Sequence, residues 1–268
     1  MPLYTADALV LRTYKLGEAD RIVVFLTSDR GKKRGVAKSA RRPRSRFAGA
    51  LEPLTHVRVA YFEKETRELV SLNYAEPVRS PMAGPGEAVH YASYFAELID
   101  EWAPADDPNE TLYRLGASVV DAMAHGMSPE LLARYFEYWV LRLQGVYPPH
   151  LACHRCGERF TGRPSASAGV SADRRDAGAW LSPTEGVLTC SPCAEGLGGR
   201  PSGARLSADA LWFLALARQN GPRELAELMV AGPVLAELEA LHRLLMARHL
   251  ERELKSLRVL RELRRHGH

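Results

Sequence analysis

Four cysteines stand in two pairs, Cys153-His154-Arg155-Cys156 and Cys190-Ser191-Pro192-Cys193, with 33 residues between the pairs. A Cys-x-x-Cys turn offers two thiolates to one ion, and two such turns complete a tetrahedral site with no open position. The pattern predicts one structural Zn2+ held by Cys153, Cys156, Cys190 and Cys193, and it argues against a catalytic metal. The separation exceeds the roughly 15–20 residues usual between such pairs. The stretch Thr161–Gly178, rich in Ser, Ala, Gly and Arg, reads as a flexible excursion that absorbs the excess, because loop closure costs grow only logarithmically with length. Two disulfides or a redox pair compete with zinc. A thioredoxin-like site needs one Cys-x-x-Cys after a strand, and bridges need an oxidising compartment. His154, central in its turn, is expected to point outward.

A second feature is charge. Arg30, Lys32, Lys33, Arg34, Lys38, Arg41, Arg42, Arg44 and Arg46 put nine basic residues into seventeen with no acid among them. A solvated loop is one reading. Like charges at this density repel one another, and a phosphate backbone relieves them by releasing its counterions, so nucleic-acid binding is the expectation. Single-strand binders also stack bases on aromatic rings, and Tyr14, Phe25, Phe47, Tyr61, Phe62 and Tyr74 lie on or beside the neighbouring strands. Alternation places at least half of these rings in a core. A third basic series, Arg248, Arg252, Lys255, Arg258, Arg261, Arg264 and Arg265, is spaced to form one face of a helix opposite Leu250, Leu254, Leu257 and Leu260 or Leu263. It reads as a solvated side or as an auxiliary DNA contact.

Catalytic patterns are missing. The chain has no GxxxxGK[ST], HExxH or GxSxG, and its only HxE, at His249–Glu251, follows all the cysteines instead of preceding a PCxxC. The expectation is a protein that is not an enzyme.

The elements that must carry these residues follow from periodicity. Short runs at Thr5–Thr13, Arg21–Thr27, Lys32–Lys38, Thr55–Phe62 and Glu68–Ala75 read as five strands of a small barrel. An OB-fold or an SH3-like barrel would leave this pattern. A Pro/Gly linker at Ser80–Gly86 opens a helical region with segments from about Pro85 to Trp102, from near Asn109, and from Ser128 to Gly145. The stripe Leu132, Phe136, Trp139 and Leu143 is assigned to the core. Past the cysteines, Ser207 or Asp209 caps a further helix, Arg223 starts another, and a long one runs from Val234 towards Arg265. The expected class is α+β multidomain: an OB-fold-like domain at 1–80, a helical domain at 81–150 and 200–268, and a zinc-ribbon-like insert at 151–199.

The 268 residues carry a net charge of only +4, but residues 1–80 hold +7, 81–240 hold −8 and 241–268 hold +5. The basic barrel thus stands apart from an acidic middle. Four thiolates and one Zn2+ would lower the total to about +2. The longest apolar run, Ala210–Ala217, is far short of a membrane span, and the N-terminus has no signal pattern, so the cytosol is the expected location.

Several runs together resemble the RecO family of bacterial recombination mediators. They are Leu16–Asp20, Thr27–Gly31, Ala37–Arg42 and Ser45–Pro53; then Arg134–Glu137 with Gly145–Pro149, the paired cysteines, and His249–Ser256. The resemblance covers nearly the whole chain. It implies an N-terminal OB-fold, a helical domain and a zinc module that some members have lost. It also implies a non-enzymatic role in recombinational DNA repair (the RecF pathway), cytoplasmic and associated with the nucleoid. Such a protein binds single- and double-stranded DNA, anneals complementary strands, and with RecR helps load RecA onto DNA coated by single-strand-binding protein, whose C-terminal tail docks on the helical domain. The DNA role falls on Lys38, Arg41, Arg42, Arg44 and Arg46, and the metal role on the four cysteines. Ser39 stands where the family often has Gly, an expected local difference in the loop. The alternative is a zinc-containing OB-fold RNA-binding protein acting in translation or ribosome assembly.

Overall fold

In the computed structural model, which describes residues 2–64, 66–81, 87–160, 178–196, 203–225 and 230–266, the period-two pattern becomes five strands. These are β1 (Leu3–Leu16), β2 (Asp20–Thr27), β3 (Lys32–Ala37), β4 (His56–Phe62) and β5 (Val70–Arg79). They close a barrel in the order β1-β2-β3-β5-β4, with β3 and β5 parallel and every other pairing antiparallel. This is the OB-like barrel among the two expected architectures. Alternate residues fill it: Ala8 and Val10, Val23 and Phe25, Val57, Val59 and Tyr61, Val70 and Leu72. A register shift between Val10 and Arg12 bends β1, and there Leu54 and Thr55 exchange backbone hydrogen bonds with Val10. The long β3–β4 connection contributes Phe47, Ala50 and Leu51 to the same core, so its second half is anchored while its first half is exposed.

Two helices cover the outer side of β1, α1 (Ala88–Trp102) and α2 (Glu110–Ala124). Asn109 caps α2 through the Leu112 N–H, and Leu112, Leu115, Val119 and Met123 are buried along one face. Gly116 allows the close approach. A Cβ there would lie 2.5 Å from Leu9 and 2.9 Å from Ile99. Asp100 of α1 pairs with Arg12 at 2.6 Å, Tyr113 meets His56 at 3.0 Å, and Asp121 pairs with Arg79.

Beyond these lie α3 (Pro129–Leu143), β6 (Ala179–Ser182), β7 (Val187–Cys190), α4 (Ser191–Glu195), β8 (Ala204–Leu206), α5 (Ala208–Gln219), α6 (Pro222–Leu225), α7 (Gly232–Leu250) and α8 (Lys255–His266). The chain divides into two compact units, Met1–Pro129 with Leu254–His268, and Glu130–Glu253. The boundaries expected at 80 and 150 fall inside the first and the second unit respectively.

In the second unit, α3 ends as expected at Gly145, whose positive φ of 74° supports the closing turn. Its stripe is only partly core. Leu132 and Phe136 are buried, Trp139 is half-buried with its indole N–H on the Ala217 carbonyl at 2.9 Å, and Leu143 is exposed while Val140 and Leu141 of the same turn are buried. Ser207 caps α5 at the Ala210 N–H.

Behind α3 lies a polar network that the apolar periodicity conceals. Glu137 accepts from Arg134 at 2.9 Å and faces His242 Nδ1 at 2.8 Å, while His242 Nε2 meets the Tyr147 hydroxyl at 3.0 Å. Burial lowers the His242 pKa and raises that of Tyr147 well above its usual value. The imidazole is therefore neutral: Nδ1–H donates to Glu137, and Nε2 accepts from Tyr147. One buried cation and one buried anion remain, and Glu239 lies 3.6 Å from Arg134 to complete the set. Removing one partner strands a charge, so Glu137→Gln is expected to cost about 3–5 kcal/mol in denaturant unfolding. The pH sign follows. The unfolded chain takes up the His242 proton more readily, so stability is full above the ordinary pKa of 6.5 and declines as pH falls below it. His242→Gln should flatten that decline.

The long C-terminal helix expected from Val234 is in fact two. Glu251 adopts a left-handed φ of 54° and ends α7, and α8 starts afresh in the first unit. The Glu97 carboxylate of α1 accepts the N–H groups of Lys255 at 3.2 Å and Ser256 at 2.8 Å, and Leu254, Leu257 and Leu260 are buried. Arg248 and Arg252 accordingly do not share a helical face with Lys255, Arg258, Arg261 and Arg264, a correction to the single basic face. Arg264 reaches the Tyr91 hydroxyl.

Candidate nucleic-acid interface and metal centre

The cysteines converge within the second unit. β7 and β6 pair antiparallel with β8 on the far edge of β6, and Cys190 ends β7 while Cys193 sits in α4, with Pro192 setting the turn between them. The other pair is a tight turn closed by Gly157, whose φ is 75° and whose N–H reaches the Cys153 carbonyl at 2.9 Å. It docks on β7 through the His154 N–H and the Leu188 carbonyl at 2.9 Å. The four Sγ atoms lie within 4.8 Å of one another, with Cys156 and Cys190 at 3.7 Å. Bonds of about 2.3 Å in a tetrahedron place sulfurs about 3.8 Å apart, whereas a disulfide needs about 2.05 Å. The set fits one tetrahedral ion, and all four cysteines are free.

Charge makes the same point. Burial opposes ionisation at Cys153, but N–H groups of the turns outweigh it and bring its pKa down to about 6; burial and the neighbouring sulfurs push Cys190 up to about 12. Unaided, the cluster supports a thiolate beside protonated neighbours, and a dication allows four thiolates together. His154 is exposed as expected, with Nδ1 at 3.1 Å from the Leu188 carbonyl, and it is not among the clustered ligands. The Thr161–Gly178 excursion falls, up to residue 177, outside the described residues.

The nine basic residues of the barrel separate into groups. Lys33 is 8% exposed and bound to Glu63 at 2.7 Å and Asp106 at 2.8 Å. Burial disfavours its charge and the two carboxylates more than restore it, so its pKa is raised. Lys32 pairs with Asp100 at 3.1 Å, and its backbone joins Pro104 and Asp106 beside Gly31, where a Cβ would strike Asp107. These two lysines fasten β3 to the segment after α1. Arg34 meets Glu68 at 2.8 Å in an exposed pair, and Arg30 lies near Asp29 and 4.0 Å over the Tyr4 ring. Their carboxylate partners stand 30 to 73 positions away for all but Asp29, beyond what a local count of charge can register.

Lys38, Arg41, Arg42, Arg44 and Arg46 are all exposed, and none forms an ion pair among the described residues. Their loop is nonetheless ordered. Arg41 Nη1 donates to the Gly17 and Glu18 carbonyls at 2.9 and 2.8 Å, and its backbone N–H meets the Ala19 carbonyl. Asp20 accepts the Ser39 N–H at 2.7 Å. Ser39 keeps the left-handed backbone that a glycine would favour, with φ 58°, so this substitution leaves the turn intact. Phe47, 2% exposed in the barrel core, pins the far end. The result is an ordered arc of backbone, tied to the β1–β2 hairpin tip through Arg41 and Ser39, that carries five exposed cationic side chains suited to a phosphate backbone.

Comparison with known proteins gives matches along most of the chain. The family model for Recombination protein O N terminal matches residues 1–81, and that for Recombination protein O C terminal matches residues 85–258. The curated DNA repair protein RecO of Anaeromyxobacter sp. (strain K) is 33% identical over 257 residues, covering 95% of this chain and 94% of that protein. The one from Symbiobacterium thermophilum is 34% identical over 269 residues, covering 98% and 99%. The one from Koribacter versatilis is 39% identical over 163 residues, covering 60% and 66%.

Proposed function

Since this chain belongs to the RecO family of DNA repair proteins, we propose that it is a non-enzymatic mediator of recombinational repair that binds single- and double-stranded DNA and anneals complementary strands. Its partners in this reading are RecR and the C-terminal tail of single-strand-binding protein, and its outcome is RecA loading on coated DNA. The observation that carries the proposal is the arc of five exposed basic side chains, Lys38, Arg41, Arg42, Arg44 and Arg46, without a carboxylate partner among the described residues, on an ordered barrel loop. Two strands approach one another against phosphate repulsion, and a dense cationic arc lowers that repulsion without an energy source. Lys32 and Lys33 act structurally, and Arg30 and Arg34 are peripheral. Family membership favours DNA over RNA as the ligand. The four cysteines hold Zn2+, which when bound supplies structural cross-linking.

The direct test is annealing of complementary strands coated with single-strand-binding protein. The parent protein is expected to accelerate it, and Arg41→Glu/Arg42→Glu/Arg44→Glu to abolish the acceleration with the fold intact by circular dichroism. Annealing that is unchanged in the triple variant overturns the proposal.

A further inference from the structure

Seven aromatic rings lie on or beside the barrel strands, and most are occupied. Phe25, Phe47 and Tyr61 are buried in the core, Tyr4 lies under Arg30, and Phe62 is half-buried. Tyr14, 45% exposed, and Tyr74, 36% exposed, remain. Tyr74 stands opposite Ala60, which in turn opposes Thr5, on a row running through β5, β4 and the start of β1. Tyr14 stands at the other end of β1, three and four residues before the Gly17 and Glu18 carbonyls that Arg41 grips.

Register fixes its direction. Past the bend in β1, Thr13 opposes Val23 of the core, so Tyr14 faces outward, directly opposite Ile22, and Ile22 is directly opposite Val36. Tyr14, Ile22 and Val36 therefore form one cross-strand row on the outside of β1, β2 and β3, spanning about 10 Å. This row is left open: Ile22 and Val36 are half-exposed. The Arg12 guanidinium, held by Asp100, lies beside the Tyr14 side chain. Lys38 follows Val36 by two positions, and the arc of arginines continues from it.

An apolar row ending in an exposed ring, bordered on one side by a basic arc with no acid in its sequence, matches a strand with phosphates on one edge and bases on the other. We propose that Tyr14, with Ile22 and Val36 as its floor, is the base-stacking platform of the barrel, and that single-stranded DNA lies across β1, β2 and β3 with its phosphates on Lys38 and Arg41 through Arg46. The inference rests on the DNA-binding reading of the loop. It makes Tyr14 the residue that distinguishes unpaired bases from duplex, whose bases are already stacked.

The test measures binding of an oligothymidine, an abasic oligomer with the same number of phosphates, and a blunt duplex, each across a salt series. Tyr14→Ala and Tyr14→Thr should weaken oligothymidine binding by roughly 5- to 150-fold, the range for one lost stack. They should leave abasic and duplex affinities and the salt slope unchanged, and Tyr14→Phe should retain parental affinity. Parental oligothymidine affinity in Tyr14→Ala and Tyr14→Thr, while the triple loop variant loses binding, overturns the platform and leaves the loop reading standing. Equal weakening on the abasic oligomer also overturns it, because the role is then structural. Parental binding by the triple loop variant removes the DNA reading itself, and the platform with it.

Discussion

Stripping the metal with a chelator, or replacing Cys190 or Cys193 by Ser, is expected to unfold the small sheet of the second unit. Little else holds it. β6, β7 and β8 have four, four and three residues, and strands that short do not support an independent sheet. The buried set Ala179, Leu181, Leu188 and Leu206 is too small to replace the cross-link. Structural zinc in small domains contributes about 10–16 kcal/mol of apparent binding free energy, so its loss exceeds what this sheet has in reserve. The checks are one zinc per chain by elemental analysis and hydrogen exchange at the amides of Cys153, His154, Gly157 and Phe160, which the structure bonds at 2.8–2.9 Å. Exchange there should approach the unfolded rate in Cys193→Ser and recover in Cys193→His, since imidazole also binds zinc. The barrel supplies no ligand and should keep its protection. Metal-free protein with four free thiols and unchanged exchange would refute the site.

The second large effect is on DNA affinity. Five phosphate contacts on single-stranded DNA give a salt slope of about −3.5 in log K against log salt, at about −0.7 per contact. Reversing Arg41, Arg42 and Arg44 to Glu leaves two contacts and a slope of about −1.4. At 0.1 M salt the lost counterion release alone weakens binding on the order of 10²-fold, and carboxylate repulsion adds to it. Lys33→Ala is the informative contrast. Lys33 is buried against Glu63 and Asp106, so its removal should lower stability while the salt slope stays parental. Equal loss of slope in both variants would return Lys33 to the interface.

What the sequence revealed and what it hid divide along one physical line. Strand and helix positions depend on neighbours one to four residues away, and the five strands, the helix start near Asn109, the cap at Ser207, one of two candidates with Asp209, and the Gly145 stop lie where periodicity and capping place them. The cysteine cluster was legible for a related reason, because each half is local and only a metal-like geometry brings the halves together. Hidden were the features that depend on partners far along the chain. Lys33 finds Glu63 thirty positions on, and Glu137 finds His242 after 105. The leucine repeat through Leu250, Leu254 and Leu257 continues unbroken across the α7–α8 boundary, which is set by the left-handed backbone of Glu251 and by the Glu97 carboxylate of α1 that caps the new helix, neither of which the repeat registers. Tyr14 looked like any barrel aromatic until the β1 bend reversed which residues face outward.

The capture of α8 by Glu97 also has a consequence for the order of events during synthesis. Glu97 and Lys255 are 158 residues apart in the chain, so at about 5–20 residues per second a ribosome takes roughly 8–30 s to deliver the segment that packs on α1. Through that interval the strands of the barrel are complete, but α1 presents an uncovered face around Tyr91 and Glu97. The first unit to emerge is among the last to close, and the whole second unit, Glu130–Glu253, is translated inside that waiting time.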